Sequence, residues 1–250
     1  MTAPAIPAAT LILFRPGAAA DEHLFVERAA TMRFAGGATV FPGGRVDAGD
    51  RDLARNFPEL DREDAAARIA AVRETIEEAG VAVGLSPVPD LATVEHLRAQ
   101  LVEGRVFEDI LAAASLRLTL NGLVPFARWC PNFNETRNFD TRFYLARLPA
   151  DAHPARVDLT ENVHLFWATA QAVLDRAEAS ELSIIFPTRR NLERLAMLAT
   201  FEAASAQAAR IPSTLIIPRI EETDSERRLV IPDGLGYPVT SEPLGTASRG

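Results

Sequence analysis

The chain has 250 residues, 48% of them hydrophobic, so it can bury a substantial core as one enlarged domain or as a domain with appended helices. Its net charge of -8 argues against a broad surface for nucleic acid or anionic membranes. The single cysteine, Cys130, excludes an intramolecular disulfide and is typical of a reducing compartment. Because the N-terminal apolar run is too short for a signal peptide or a membrane span, we expect a cytoplasmic protein.

The sequence pattern predicts strands and helices that alternate along the chain. Thr10–Phe14 and Leu24–Arg28 are predicted to be short strands, and Asp64–Ala79 a helix with Asp61 or Asp64 as its N-cap. The later predicted elements are helices Leu91–Gly104 and Phe107–Leu116, strands Leu123–Cys130, Phe139–Leu148 and Val163–Trp167, helices Ala170–Ala179 and Thr188–Ala209, and a terminal hairpin of Leu215–Ile220 and Arg227–Ile231. Mixed elements in this order predict an α/β (α+β) fold.

The helix predicted over Asp64–Ala79 carries a cluster of carboxylates. Glu74 and Glu78 lie one turn apart, opposite the apolar face, and Glu77 lies beside them. Like charges at this spacing repel each other, and only Glu77 has a cation four residues before it, Arg73. Two interpretations stay open at this point: a site for a divalent cation, which prefers oxygen ligands, or an ordinary solvated helix face.

A glycine-containing loop precedes this helix. In Phe41-Pro42-Gly43-Gly44, the two glycines permit close approach of the backbone to a ligand or a metal ion. Taken alone, the segment indicates only a turn.

The loop and the helix together resemble the Nudix box, in which Gly, five residues, Glu and seven residues precede Arg-Glu-x-x-Glu-Glu-x-Gly. In this chain Gly44 is followed after five residues by Asp50 where a Glu is expected. The second half is complete and consists of Arg73, Glu74, Glu77, Glu78 and Gly80. Between Asp50 and Arg73 lie 22 residues instead of seven, so the box is lengthened.

The resemblance to Nudix hydrolases implies an α/β/α sandwich with a mixed sheet. To this fold the residue pattern adds inserted helices after the Nudix helix and a long C-terminal helix. We expect one domain over residues 8–235, with a helical insertion at about 88–120, and a loosely ordered tail at 236–250. For the inserted helices we consider a lid over the site or the surface of a homodimer.

The resemblance also implies roles for particular residues. Mg2+ or Mn2+ would be held by Glu74, Glu77 and Glu78, with the Gly44 carbonyl as an addition, and Arg73 would orient a carboxylate. Two candidates for the general base are Glu74 and Glu161, since Glu161 leads a segment similar to a strand found in many Nudix domains. A weaker third candidate is Glu135.

A second resemblance concerns the substrate. Arg28-Ala29, Arg33, Gly37 and the FPGG segment have the spacing of Nudix enzymes that hydrolyse coenzyme A (CoA). Arg28 and Arg33 would then bind phosphate, together with Gly43 and Arg45; alternatively, Arg28 ends a strand in solvent and Arg33 pairs with a nearby acid.

A third resemblance, to the peroxisomal CoA diphosphatase branch, rests on the lengthened box and two further segments. These are Ala127-Arg128-Trp129 and the Phe-Asp-Thr-Arg-Phe strand of residues 139–143, in which we interpret Asp140 and Arg142 as a structural pair.

The favoured function is hydrolysis of CoA or acyl-CoA to 3′,5′-ADP and (acyl-)4′-phosphopantetheine. Two alternatives stay open. One is a diphosphatase for ADP-ribose, NADH or a dinucleoside polyphosphate, and the other is a catalytically silent Nudix-fold module that binds a nucleotide or regulates. The expected partner is a nucleotide-type small molecule, with neither nucleic acid nor membrane involved.

Overall fold

The structure is a computed structural model that describes residues 4–30, 35–131, 138–150, 152, 155, 162–222 and 226–247. Its strands are β1 (Ile6–Arg15), β2 (Glu22–Arg28), β3 (Thr39–Val40), β4 (Gly43–Arg45), β5 (Leu85–Ser86), β6 (Arg117–Leu118), β7 (Val124–Trp129), β8 (Phe139–Arg147), β9 (Asn162–Ala168), β10 (Leu215–Ile216), β11 (Arg219–Glu222), β12 (Arg227–Val230) and β13 (Ser241–Pro243). Its α-helices are α1 (Ala48–Leu53), α2 (Arg62–Ala79), α3 (Leu91–Val102), α4 (Phe107–Ala113), α5 (Ala170–Glu178), α6 (Phe186–Ala196), α7 (Phe201–Ala208) and α8 (Leu244–Ala247).

A mixed sheet forms the centre of the fold. Its strands run in the order β10-β7-β8-β1-β2-β3, with β4 paired to β1 and β9 paired to β2. The β1–β8 and β10–β7 pairs are parallel, and the other pairs of this sheet are antiparallel. Strand β1 is therefore central, and β4 brings the glycines of the predicted box against it.

Helices cover the sheet on both faces. Alternate residues of β1 point to opposite sides of the sheet, so each side can be assigned to one helical layer. Leu11 and Leu13 belong to the buried cluster that contains α2, α3 and α4, whereas Ile12 and Phe14 belong to the cluster that contains α5, α6 and α7. Both faces of the strand are buried, as expected for a sheet between two helical layers. The predicted α/β/α sandwich with a mixed sheet is confirmed.

Helix α2 has clear signals at both ends. The Asp61 carboxylate accepts a hydrogen bond from the Asp64 backbone N–H at 2.9 Å, so Asp61 is the N-cap. Gly80 ends the helix in the left-handed conformation with φ 62°, and its N–H donates to the Ile76 carbonyl at 2.9 Å. These caps fix the length of the helix that carries the three glutamates.

The long helix predicted over Thr188–Ala209 is wrong, because the chain breaks between α6 and α7. Ala199 adopts a positive φ of 53°, and the Thr200 hydroxyl accepts a hydrogen bond from the Ala203 N–H as the N-cap of α7. Asp21 fixes the break from a distant part of the chain, since its carboxylate accepts from the Phe201 N–H at 2.8 Å. The break therefore depends on a contact that helical periodicity cannot reveal.

The C-terminal region also differs from the prediction. Leu215–Ile216 joins the main sheet beside β7, and the hairpin forms instead between β11 and β12. Within the segment predicted as a tail, the buried Tyr237 hydroxyl donates to Asn191 and accepts from the Trp129 indole, both at 3.0 Å. Strand β13 adds Glu242, whose carboxylate pairs with the buried Arg190 guanidinium at 2.9 Å.

Helices α3 and α4, which the sequence predicts to be an insertion, lie on the same face as α2. Their buried residues Leu97, Leu101 and Ile110 belong to the core cluster of that helix. None of the helices in the described part of the chain has the length and apolar character that a membrane span requires.

A buried histidine makes the stability of the fold depend on pH. His23 is 3% exposed among Phe14, Phe25 and Phe41, and its Nδ1–H donates to the Leu13 carbonyl at 3.2 Å. Burial lowers the pKa of His23 to about 4, although the Leu13 bond and the nearby Asp21 and Glu22 oppose this shift. The folded protein therefore resists protonation at a pH where the unfolded chain accepts it.

We predict that the free energy of unfolding falls as the pH decreases from about 6.5 to about 4, because only the unfolded state binds the proton in this range. The shift corresponds to a loss of about 3 kcal/mol. His23→Gln should remove this component, as measured by urea unfolding between pH 4 and 7.5. The matched control is His164→Gln at an exposed position, which should leave the slope unchanged. A difference between wild type and His23→Gln that is the same at every pH would contradict the prediction.

Candidate active site

The site lies where α2 crosses β4. Strand β4 pairs with β1 so that Gly43 faces Thr10 and Gly44 faces Ala9. A Cβ placed on Gly44 would lie 2.4 Å from the Glu74 carboxyl carbon, and one on Gly43 would lie 2.4 Å from the Ala9 carbonyl oxygen. Gly43 therefore has no room for a side chain beside the backbone of β1, and at Gly44 the Glu74 carboxylate lies directly against the backbone of the loop.

The side chains of the three glutamates are buried to different degrees. Glu78 is buried, and its Oε2 accepts a hydrogen bond from the Gly43 N–H at 2.9 Å. The Glu74 side chain is 16% exposed, whereas that of Glu77 is 33% exposed and reaches toward solvent. The cluster therefore has a buried inner part and an open outer part.

Burial and mutual repulsion make the two inner carboxylates difficult to ionise. Burial raises the pKa of Glu78 to about 8, the charge of Glu74 raises it further, and the Gly43 bond and the Arg28 charge oppose the shift. Burial raises the pKa of Glu74 to about 7. The charge of Arg73 opposes this shift, and the charge of Glu77 adds to it. Neighbouring cations thus offset only part of the cost of holding negative charge here.

Arg73 joins the two halves of the lengthened box. Its guanidinium binds both oxygens of Asp50, with Nε at 3.0 Å and Nη2 at 2.9 Å. The same group donates to the Arg45 carbonyl at 2.9 Å, and Nη1 lies 3.0 Å from Glu74 and 3.5 Å from Glu77. Burial alone would lower the pKa of Arg73, but the Asp50 hydrogen bonds and the surrounding carboxylates raise it well above its ordinary value.

Asp50 is 2% exposed and faces Arg73 rather than the glutamates. Its Oδ2 also accepts the Asp47 N–H at 2.9 Å, so it fixes the first turn of α1. The shorter Asp therefore has a structural function, in which it closes the 22-residue spacer onto α2.

The predicted phosphate-binding residues are found in different surroundings. Arg28 lies at the end of β2 with its Nη1 3.9 Å from Glu78 Oε1, and its side chain is 15% exposed. The alternative that it ends a strand in solvent is therefore wrong. The Arg45 side chain is exposed, and its carbonyl meets Arg73. Arg33, Glu135 and Glu161 lie outside the described residues.

Two residues that the sequence did not reveal also reach α2. Arg98 of α3 donates to the Glu77 carbonyl at 2.8 Å and to the Glu78 carbonyl at 3.2 Å, which stabilises the C-terminal end of the helix. Asn162 of β9 hydrogen-bonds the Glu78 carboxylate through its side chain. Sequence offered one indirect signal for Asn162, which is its position directly after the candidate base Glu161.

Residues of the two segments of the third resemblance join β7 to β8 and β8 to the start of α2. Arg128 binds Asp140 through two hydrogen bonds of 2.8 and 2.6 Å across the β7–β8 pair. Arg142 pairs with Asp64, which also accepts from the Tyr144 hydroxyl at 2.8 Å. Asp140 and Arg142 thus have separate partners instead of each other.

The carboxylates fit a divalent cation, although they do not form a closed cage. Among the described residues, no three acidic, histidine or cysteine side chains converge into a complete ligand set. Mg2+ usually keeps several water ligands and takes one or two carboxylates together with substrate phosphates, so a complete set is not required. Buried, mutually repelling carboxylates against an open glycine strand supply the hard oxygen donors that such an ion prefers.

Comparison with known proteins agrees with this geometry. The crystal structure of a Nudix hydrolase from Alicyclobacillus acidocaldarius is 31% identical to this chain, with a TM-score of 0.72; the alignment covers 81% of this chain and 96% of that one. A Caenorhabditis elegans protein with the name "Putative nudix hydrolase 7" is 30% identical over 181 residues, which is 70% of this chain and 56% of the relative. The chain thus spans little more than half the length of this curated relative. No family model matches the chain.

The Alicyclobacillus protein is matched over almost its whole length, and the α/β/α sandwich agrees with the same family. The prediction made from the interrupted box is confirmed at this level: the chain belongs to the Nudix hydrolase family.

Proposed function

We propose that this protein is a metal-dependent diphosphatase that hydrolyses CoA or acyl-CoA to 3′,5′-ADP and (acyl-)4′-phosphopantetheine. The observation that carries the reaction type is the contact between Glu74, Glu78 and the Gly43–Gly44 strand. It combines hard oxygen donors with a backbone that a phosphate group can approach closely. Support for CoA comes from the spacing of Arg28, Arg33 and the FPGG segment.

The proposed metal ligands are Glu74, Glu77 and Glu78, with the Gly44 carbonyl as an addition. A bound Mg2+ or Mn2+ would neutralise the pyrophosphate and activate a water molecule. Arg73 would orient the Glu74 carboxylate through its hydrogen bond, because the Arg73 guanidinium is itself held in place by Asp50.

Arg28 is the proposed contact for the phosphate charge of the substrate. Its guanidinium lies beside Glu78, and within the described residues its buried Nε has no hydrogen-bond partner. A buried N–H without a partner is costly, so a phosphate oxygen at this position would satisfy it. Arg28 thus supports a site that holds both the carboxylates and an anionic substrate.

The reaction conserves atoms and charge. The oxygen of water bonds to one phosphorus, the bond from that phosphorus to the bridging oxygen breaks, and the electron pair leaves with the second phosphate. A carboxylate near the cluster accepts the proton that the water loses. Glu74 and Glu161 are the proposed candidates for this general base.

A substrate panel tests the proposal. With Mg2+ or Mn2+, the purified protein should release 3′,5′-ADP from CoA, as measured by chromatography, and should turn over ADP-ribose, NADH and diadenosine polyphosphates more slowly. Cleavage of ADP-ribose without cleavage of CoA would overturn the CoA assignment. Binding of these nucleotides without any product would favour a silent binding module.

We predict that Glu78→Gln lowers kcat by a factor of about 100 or more while the protein stays folded, because the amide keeps the shape of the side chain and loses a charged oxygen ligand. Steady-state kinetics and circular dichroism together measure both effects. Glu63→Gln is the matched control, since Glu63 is an exposed residue of the same helix. Activity of Glu78→Gln close to that of wild type would refute the metal assignment.

We predict that Gly44→Ala disrupts the site without unfolding the domain. The added methyl group must displace the Glu74 carboxylate, which is the mobile end of a long side chain, so kcat should fall by about tenfold or more. Gly49→Ala on α1 is the control, because a Cβ there meets no atom within 4 Å. If both variants show wild-type kcat and the same melting temperature, the close approach at Gly44 has no role in turnover.

A further inference from the structure

Asn162 is a buried amide at the start of β9. It is 0% exposed, and it pairs with Arg28 in the register of β2 and β9. Arg28 itself faces Glu78 at 3.9 Å. The pairing therefore brings Asn162 to the inner side of the carboxylate cluster.

A β-bulge sets the direction of the Asn162 side chain. Arg28 and Glu27 are neighbours in β2, but their partners in β9 are Asn162 and His164, so Val163 is the extra residue. Val163 is 52% exposed, and Asn162 is fully buried. Bulges change which way a side chain points and are frequent beside active sites, so this irregularity has a physical consequence for the site.

Three elements meet at the Glu78 carboxylate. The Gly43 N–H of β4 donates to Oε2 at 2.9 Å, and the Arg28 guanidinium of β2 faces Oε1. The Asn162 side chain of β9 provides a further hydrogen bond. A carboxylate has about four acceptor positions, so these partners leave room for one more ligand.

We propose that Asn162 is a positioning residue, whose amide holds the Glu78 carboxylate in the rotamer that presents its remaining lone pair to a divalent cation. This inference rests on the proposed function. Groups that orient the ligands of a metal ion typically change metal affinity or activity by about 10- to 100-fold when they are replaced.

The chemistry of the amide suits this position. An amide N–H stabilises the ionised carboxylate without adding a charge to a cluster that already repels itself. A carboxylate at position 162 would add to the repulsion, and a long cation would compete with the metal ion. The neutral donor therefore orients Glu78 and leaves the charge of the site available to the cation.

The test compares Asn162→Leu with Asn191→Leu in the full chain. Leucine keeps the approximate volume of the side chain and removes the amide in both variants. Asn191 is also 0% exposed but lies on α6, where it accepts a hydrogen bond from Tyr237. Both variants thus lose a buried amide, but only the one at position 162 loses a contact with the site.

Mn2+ binding is measured by electron paramagnetic resonance of the free ion, and kcat and KM are measured at saturating Mn2+. We expect Asn162→Leu to raise the Kd for Mn2+ by about 10- to 100-fold and to lower kcat, with little change in the KM for the nucleotide. Asn191→Leu should lower only the melting temperature. If Asn162→Leu does not fold, Asn162→Ser, which is too short to reach Glu78, should give the same weakening.

Wild-type Mn2+ affinity in a folded position-162 variant would overturn the inference. Equal loss of Mn2+ binding in Asn191→Leu would also overturn it, since the effect would then be one of general stability. Failure of the proposed function has a different signature, in which the wild-type protein binds Mn2+ but releases no product from any nucleotide. The Mn2+ titration still decides the role of Asn162 in that case.

Discussion

The bidentate contact between Arg73 and Asp50 is the interaction on which the site depends. It joins the glycine loop to the helix of the glutamates, although 22 residues separate the two partners along the chain. Removing one partner from such a buried pair leaves a charge without compensation, which is strongly destabilising. Because the same guanidinium also reaches Glu74 and Glu77, the geometry of the fold and that of the carboxylates are set by one group.

The remainder of the site follows from the cost of burying negative charge. The fold offsets part of this cost with donors from separate elements, which include the Gly43 N–H and Arg28 at Glu78. Helix α3 contributes through Arg98, which binds the last carbonyls of α2. Helix α3 therefore supports the site directly, from the same layer of the sandwich as α2.

Sequence predicted those parts of the molecule that local pattern controls. The period of α2 and its Asp61 cap follow from residues within a few positions of each other, so the helix was predicted with nearly the observed bounds. The break before α7 was not predicted, because it is fixed by Asp21, which lies 180 residues from Phe201. Asn162 was missed for the same reason, since its contact with Glu78 arises only when β9 pairs with β2. Chemistry that depends on such distant contacts requires the fold.

The length of the spacer between the two halves of the box is nearly free to vary. Residues 51–61 of this spacer precede α2, and each doubling of the length of a flexible connection costs only about 0.6 kcal/mol in closure entropy, because this cost rises with the logarithm of the length. Removing one partner of the buried Asp50–Arg73 pair, which flanks the spacer, costs about 3–5 kcal/mol and therefore exceeds that amount. Insertions at this point can therefore accumulate and acquire roles of their own. A search for the Nudix box that requires a fixed residue spacing will then miss chains in which the reactive groups are complete.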